Sequence, residues 1–393
     1  MRNKSIPYAK HDISSRDIAA VHETLGSDYI TRGPRTKYFE EALAAYCGSQ
    51  YAVVVNSGTA ALHLAYRVLG VQPGDVVLST PITFVATMNA ALYCGAEPQF
   101  VDIEHNYFTL DTHKLKNYLK ACETDKLPKV ITGVSFSGQP YDMQGVWELA
   151  KSYDINVIAD QSHAIGSSWY DLDGNVQYAG NCTYADLEVF SFQATKHITT
   201  GEGGAILTDN KKLYNQLLKL RNHGFAKKQE NLDSNTSKPS WYRGMEELGY
   251  NYMMTEFQAA LGLQQLHRLN DFIIQRQQHA ALYNAIFKHH QDIKIPDERP
   301  NVQHTRHLYI IEVPNRNKLF NYLQKKNIGS QVHYTPIHLQ PYYRKNFQLG
   351  EGDFPVSEKY YERALSLPLH TSLTHEELEY VAEEVIKCVE EEN

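Results

Sequence analysis

Three short stretches of this chain hold residue types that do chemistry. The first, Asn56-Ser57-Gly58-Thr59, closes an apolar run and opens a helical pattern at Ala60. A glycine-containing turn at a helix start leaves backbone N–H groups and the positive end of the helix dipole pointing outward, which favours a phosphate. Thr59 would add a hydroxyl. The glycine spacing fits neither a P-loop nor GxGxxG, and a plain Ser/Thr helix cap is the simpler alternative. The second is Asp160, with His163 three residues on, in VIADQSHAIGS. Asp160 follows an apolar strand pattern, at the carboxyl end where open α/β sheets bind ligands. A carboxylate buried there needs a cationic partner. A protonated heteroaromatic nitrogen is one; a helix-capping role needs none. The third is Lys196 in SFQATKHITTGEGG, between the strand-like EVFSF and a glycine-rich turn. A lysine stripped of water there becomes a Schiff-base nucleophile, and the glycines let the backbone pass close to a cofactor. Taken alone, it could equally be a solvated surface lysine.

In this order the three stretches match three parts of one cofactor. The phosphate, ring nitrogen and aldehyde of pyridoxal 5′-phosphate (PLP) would meet the cradle, the acid and the lysine.

These residues need a scaffold. Strand signals occur at 51–56, 75–79, 98–103, 129–136, 155–159, 188–192 and 205–208, several of them almost wholly apolar, as in parallel strands buried on both faces. Helical patterns such as 60–69 and 144–153 lie between them. The alternation predicts a three-layer α/β domain with a mostly parallel sheet. Helical patterns at 255–269 and 271–287 follow, then strand or helix signals at 308–313, 318–326, 331–334 and 375–391. We read a large α/β domain over residues 1–270, including the N-terminal segment, and a small α+β domain over 271–393. The polar stretch 227–242 reads as a surface loop.

The chain has 393 residues, enough for two such units. A net charge of −7 argues against nucleic acid or an anionic membrane as partner. The five cysteines show no CxxC and read as reduced thiols. The first residues lack an apolar signal-peptide core, and no run is long enough to span a bilayer, so a cytoplasmic protein is expected. No His/Cys spacing suggests a metal.

The stretches ITRGPRTKYFE, VVNSGTAALHLA, STPITFVATMNA, ADQSHAIGS, VFSFQATKHITTGEGGAILT, RNHGF, LGYNYMMTEFQAALGLQQL, QVHYTPIH and SLPLH together resemble, over essentially the full length, the DegT/StrS family of nucleotide-sugar aminotransferases. The resemblance implies PLP fold type I (aspartate aminotransferase-like). It implies that Lys196 carries PLP as an internal aldimine, with a pyridoxamine phosphate form in the cycle. Asp160 would pair with the ring nitrogen and Phe84 stack on the ring. Gly58, Thr59 and Ser191 would hold the phosphate, and His163 would lie near the ring hydroxyl. Asn251 would reach the phosphate in the neighbouring subunit, making a homodimer with shared sites. Tyr8, Thr31, His333 and Tyr334 lie in family-like motifs and would contact the sugar, or else are packed or surface polar residues. His307 and His338 read as structural.

Within the family the motifs are most similar to the branch serving pseudaminic acid synthesis. That likeness implies transfer of an amino group from L-glutamate to C4 of a UDP-linked 4-keto-6-deoxy-N-acetylhexosamine. The product would be UDP-4-amino-4,6-dideoxy-N-acetyl-β-L-altrosamine. Gln193 stands where such relatives often have His, and Gly201 where they often have Ala. The alternatives are amination of another nucleotide-linked keto sugar at C4 or C3, or a non-catalytic regulatory protein on a PLP fold. Sugar deoxygenases of this fold place His where Lys196 stands, and a nicotinamide dehydrogenase would need an early GxGxxG.

Overall fold

The structure is a computed structural model that describes residues 5–225 and 241–391. The stretch read as a surface loop, 227–242, therefore lies almost wholly outside the described residues. Two N-terminal helices, α1 (Ser15–Leu25) and α2 (Pro34–Cys47), precede the sheet. Then come β1 (Tyr51–Val55), α3 (Gly58–Val68), β2 (Val76–Ser79), α4 (Ala86–Tyr93), β3 (Glu97–Phe100) and α5 (Thr112–Ala121). β4 (Val130–Val134), α6 (Met143–Ser152), β5 (Asn156–Asp160), a hairpin of β6 (Ser168–Tyr170) and β7 (Val176–Tyr178), β8 (Leu187–Ser191), β9 (Gly204–Thr208) and α7 (Lys211–Arg221) follow.

Seven strands form one sheet in the order β1-β9-β8-β5-β4-β2-β3. β3, β2, β4, β5 and β8 pair in parallel, whereas β9 runs antiparallel to both β8 and β1. The fold is thus a mostly parallel α/β sheet between helical layers, as the alternating pattern predicts. β4 and β9 are buried along their whole length. On one face α3 and α4 pack through Ala60, Ala61, Leu64, Ala65 and Ala90; the small residues let the helices approach the sheet closely. On the other face Phe39 and Leu43 of α2 meet Phe190, Leu207 and Phe272.

After α8 (Glu256–His267), the long α9 (Leu269–Phe287) serves two cores. Its Leu269, Phe272 and Ile273 pack under the large sheet. Its Ala280, Tyr283 and Phe287 pack with a second core that includes Ile311, Leu323, Leu365 and Val381. That second core contains β11 (Tyr309–Glu312), after the short β10 (Val302–Gln303), and α10 (Arg316–Lys325). α11 (Pro341–Phe347), α12 (Pro355–Arg363), β12 (Ala364–Leu367), antiparallel to β11, and α13 (His375–Glu390) complete the chain. Ile6 bridges to Ile328 and joins this C-terminal core. The stretch 331–334, which carries a regular-element signal, forms only a single bridge between Gln331 and Ser366. Among the described residues no helix is long and apolar enough to cross a membrane.

Candidate active site

The carboxyl ends of β2, β5 and β8, which run parallel, and of β1, turned the same way by the antiparallel β9, lie along one edge of the sheet. A cavity of about 670 Å³ opens there.

One wall is the start of α3. Ser57 is extended, with φ −163°, and its Oγ caps the helix by accepting from the Ala60 N–H at 3.1 Å. Capping at that position leaves the N–H groups of Gly58 and Thr59 without intrahelical acceptors. Both residues line the cavity. A side chain on Gly58 would put a Cβ 2.9 Å from Cβ of Ser191, at the end of β8. Ser191 thus stands directly against the cradle. β9 explains the other glycine: a Cβ on Gly204 would lie 2.8 Å from the Gly58 nitrogen.

Asp160 ends β5 and is 4% exposed. Its Oδ1 accepts from the Ser162 N–H at 3.1 Å and its Oδ2 from the Thr87 hydroxyl at 2.9 Å. Among the described residues no Lys, Arg or His forms an ion pair with it, although it lines the cavity. Lys196 feels its charge only from beyond ion-pair distance; a buried carboxylate with no cation in contact is costly, and a protonated ring nitrogen would supply one.

Lys196 enters the same cavity from the loop after β8. The loop is pinned from within. Gln193 Oε1 accepts from both the N–H and the hydroxyl of Thr195, and the Thr199 hydroxyl donates to the Phe192 carbonyl at 3.1 Å. Burial pushes the Lys196 ammonium down to about 8, against the opposing pull of the Asp160 charge. At neutral pH roughly a tenth of this amine is then the free nucleophile.

His163 is buried and its Nδ1 accepts from the Ser137 N–H at 3.2 Å. Burial, then the Lys196, His333 and His197 charges, hold it well below the usual histidine range. A neutral ring accepting at Nδ1 carries its proton on Nε2, which lies 3.2 Å from Tyr334 Oη. Phe84 is 55% exposed within the chain yet lines the cavity, its ring 5.8 Å from that of Tyr334. Tyr8 and His333 also line it, their rings 5.7 Å apart, and His333 Nδ1 is 2.8 Å from the Ser366 hydroxyl.

Ten of the twelve residues singled out from sequence therefore meet in one cavity. Thr31 and Asn251 do not line it; both are exposed. Asn251 is nevertheless beside the cradle, its carbonyl accepting from Asn56 Nδ2 at 3.4 Å. Thr83, Thr87 and His307 are among the cavity residues not singled out as site residues from sequence. Thr83 and Thr87 lie four residues apart within the quoted STPITFVATMNA motif, which is the signal that would have found them. His307, read as structural, packs its ring 4.3 Å from that of His163, and no local pattern announces it. Its carbonyl and that of Leu369 accept from the buried Arg276 of α9, at 3.3 and 3.0 Å.

Residues 11–386 match the DegT/DnrJ/EryC1/StrS aminotransferase family. The chain belongs to that family. Among its relatives is the UDP-4-amino-4,6-dideoxy-N-acetyl-beta-L-altrosamine transaminase of Campylobacter jejuni (strain 81-176), 37% identical over 98% of each chain. Among solved structures, Helicobacter pylori PseC, an aminotransferase of pseudaminic acid biosynthesis, superposes with a TM-score of 0.89 at 31% identity, covering 99% of this chain and 100% of its own. The PLP form of the putative sugar aminotransferase Spr1654 from Streptococcus pneumoniae gives 0.87 at 31% identity over 99% of each chain. This DegT-family chain is a PLP-dependent sugar aminotransferase of fold type I. Its own residues fit the cofactor: a helix start with free N–H donors, a buried carboxylate with no cation in ion-pair contact and an enclosed lysine share one cavity.

Proposed function

We propose that the enzyme transfers the amino group of L-glutamate to C4 of a UDP-linked 4-keto-6-deoxy-N-acetylhexosamine, yielding UDP-4-amino-4,6-dideoxy-N-acetyl-β-L-altrosamine. The observation that carries the chemistry is Lys196 and Asp160 in one cavity with the open N–H groups of Gly58 and Thr59. The likeness to the Campylobacter transaminase supports the sugar. When bound, PLP supplies an aldehyde that takes up the amino group and a protonated ring that draws electrons from the substrate carbon.

On this reading Gly58, Thr59 and Ser191 hold the phosphate and Phe84 covers one ring face. Asp160 holds the proton on the ring nitrogen. His163, locked in its Nε2–H form against Tyr334, lies near the ring hydroxyl. Lys196 first attaches the cofactor, then takes the proton from the α-carbon of glutamate. In the second half-reaction it moves a proton the opposite way, to C4 of the sugar. Tyr8, His333 and Tyr334, which line the cavity, contact the sugar nucleotide; Thr31, exposed outside the cavity of its own chain, would do so from the neighbouring subunit. The working unit is a cytoplasmic homodimer. Asn251, exposed beside its own cradle and outside its own cavity, is suited to reach the neighbouring subunit's phosphate.

The test follows the visible absorption of the holoenzyme as L-glutamate and then the UDP-linked 4-keto-6-deoxy-N-acetylhexosamine are added. Glutamate should bleach the band of the lysine-bound cofactor, and the sugar should restore it with formation of the C4-amino product, identified by NMR. Bleaching by glutamate without restoration by this sugar would overturn the substrate assignment.

A further inference from the structure

Asp160 is held from a second direction by one hydroxyl, which a second hydroxyl backs. Thr87 Oγ1 lies 2.9 Å from Asp160 Oδ2, and Thr83 Oγ1 lies 2.7 Å from Thr87 Oγ1. Both threonines are buried, at 2% and 1% exposure for Thr83 and Thr87. Each hydroxyl has one proton to give, and an ionised carboxylate only accepts. Thr87 must therefore spend its proton on Asp160, so Thr83 must donate to Thr87. The chain of donors has one direction, Thr83 to Thr87 to Asp160, and ends on a charge, where hydrogen bonds are strongest and reinforce one another.

We propose that Thr87, backed by Thr83, is a positioning residue that sets how Asp160 presents its carboxylate to the cofactor's ring nitrogen. With the Ser162 N–H on Oδ1, the relay holds both oxygens and so fixes the carboxylate plane. The same turn of chain links this to the ring face. The Thr87 N–H donates to the Phe84 carbonyl at 3.1 Å, so Phe84 and Thr87 are delivered together. A purely structural role for the hydroxyl is poorly supported. The anchor of Thr87 to the core is its carbonyl, which accepts from the buried Tyr66 hydroxyl at 3.0 Å and survives replacement of the side chain.

The inference rests on Asp160 facing the ring nitrogen, so the experiment separates the two claims. Thr87→Val, Thr87→Ser, Thr83→Val and Asp160→Asn are compared as holoenzymes. The readouts are the pH midpoint of the lysine-bound cofactor's visible band, the cofactor dissociation constant and the single-turnover rate with glutamate. A ring with less positive charge lets the lysine nitrogen keep its proton to higher pH. Thr87→Val should therefore move the midpoint upward and slow the glutamate half-reaction roughly ten- to hundred-fold, the scale of one hydrogen bond to a charge. Thr87→Ser should restore both. Thr83→Val should shift the midpoint the same way by less, and it decides the matter if Thr87→Val does not fold. Asp160→Asn should shift it furthest. If Asp160→Asn shifts the midpoint while Thr87→Val or, failing that, Thr83→Val leaves it at the wild-type value, the relay is wrong and the Asp160 assignment stands. If Asp160→Asn leaves it unchanged, both claims fall.

Discussion

In the cofactor-free protein Lys196 should titrate near pH 8, far below its surface counterparts, and Asp160→Asn should lower it further. Two opposing effects set the value. Burial disfavours the ammonium and is the larger; the Asp160 carboxylate favours it. Removing that charge leaves burial unopposed. A fall from 10.5 to about 8 disfavours the charged form by about 3 kcal/mol. At pH 7 the neutral fraction then rises from roughly 0.03% to roughly 9%, about a 300-fold gain in nucleophile. The assay is competitive labelling of the apo-protein with a trace amine reagent across pH 6–11, reading the Lys196 peptide by mass spectrometry. A midpoint near 10, or an upward move in Asp160→Asn, would refute the reasoning. A stability effect of known sign accompanies this. Between pH 8 and 10.5 the unfolded chain holds the proton that the folded chain has lost, so folded stability rises with pH there. Apo Lys196→Met should therefore be more stable than wild type by up to about 3 kcal/mol below pH 8, an advantage that fades by about pH 10.5.

Gly58→Ala places a methyl 2.9 Å from the Ser191 Cβ and should weaken PLP binding by about ten-fold or more in fluorescence titration; unchanged affinity would contradict the close cradle. Phe84→Ala removes a side chain with more than half its surface exposed. It should leave the melting temperature within about 2 °C while raising the PLP dissociation constant roughly ten-fold, so that a large loss of stability with normal PLP affinity would make Phe84 a packing residue. Arg276→Met strands the buried carbonyls of His307 and Leu369 and should cost about 2–4 kcal/mol in chemical denaturation. An unchanged denaturation midpoint would show that Arg276 is not the strut between α9 and the loop under His163.

The central sheet was legible because most of its strands are apolar on both faces; VITGV and YAVVV have few other places to go. Asp160 was legible because it ends such a strand, and Lys196 because it closely follows one, just ahead of a glycine-rich turn. The reversal of β9 was not, since GAILT has the composition of any buried strand and only pairing with β1 and β8 sets its direction. Nor was the Thr83–Thr87–Asp160 relay: two threonines become a device only when a carboxylate from a strand far along the chain is folded against them. His307 is a similar case, one of 18 histidines, given meaning by long-range contact with His163. Thr31 and Asn251 mark another boundary. A motif names them, yet both stand exposed outside the cavity of their own chain.

The central claim is that Lys196 carries the cofactor, and borohydride reduction of the PLP-loaded enzyme followed by peptide mapping tests it most directly. The account predicts a pyridoxyl-phosphate adduct on the Lys196 peptide, lost in Lys196→Ala. An adduct on any other lysine, or incorporation undiminished in that variant, would contradict it.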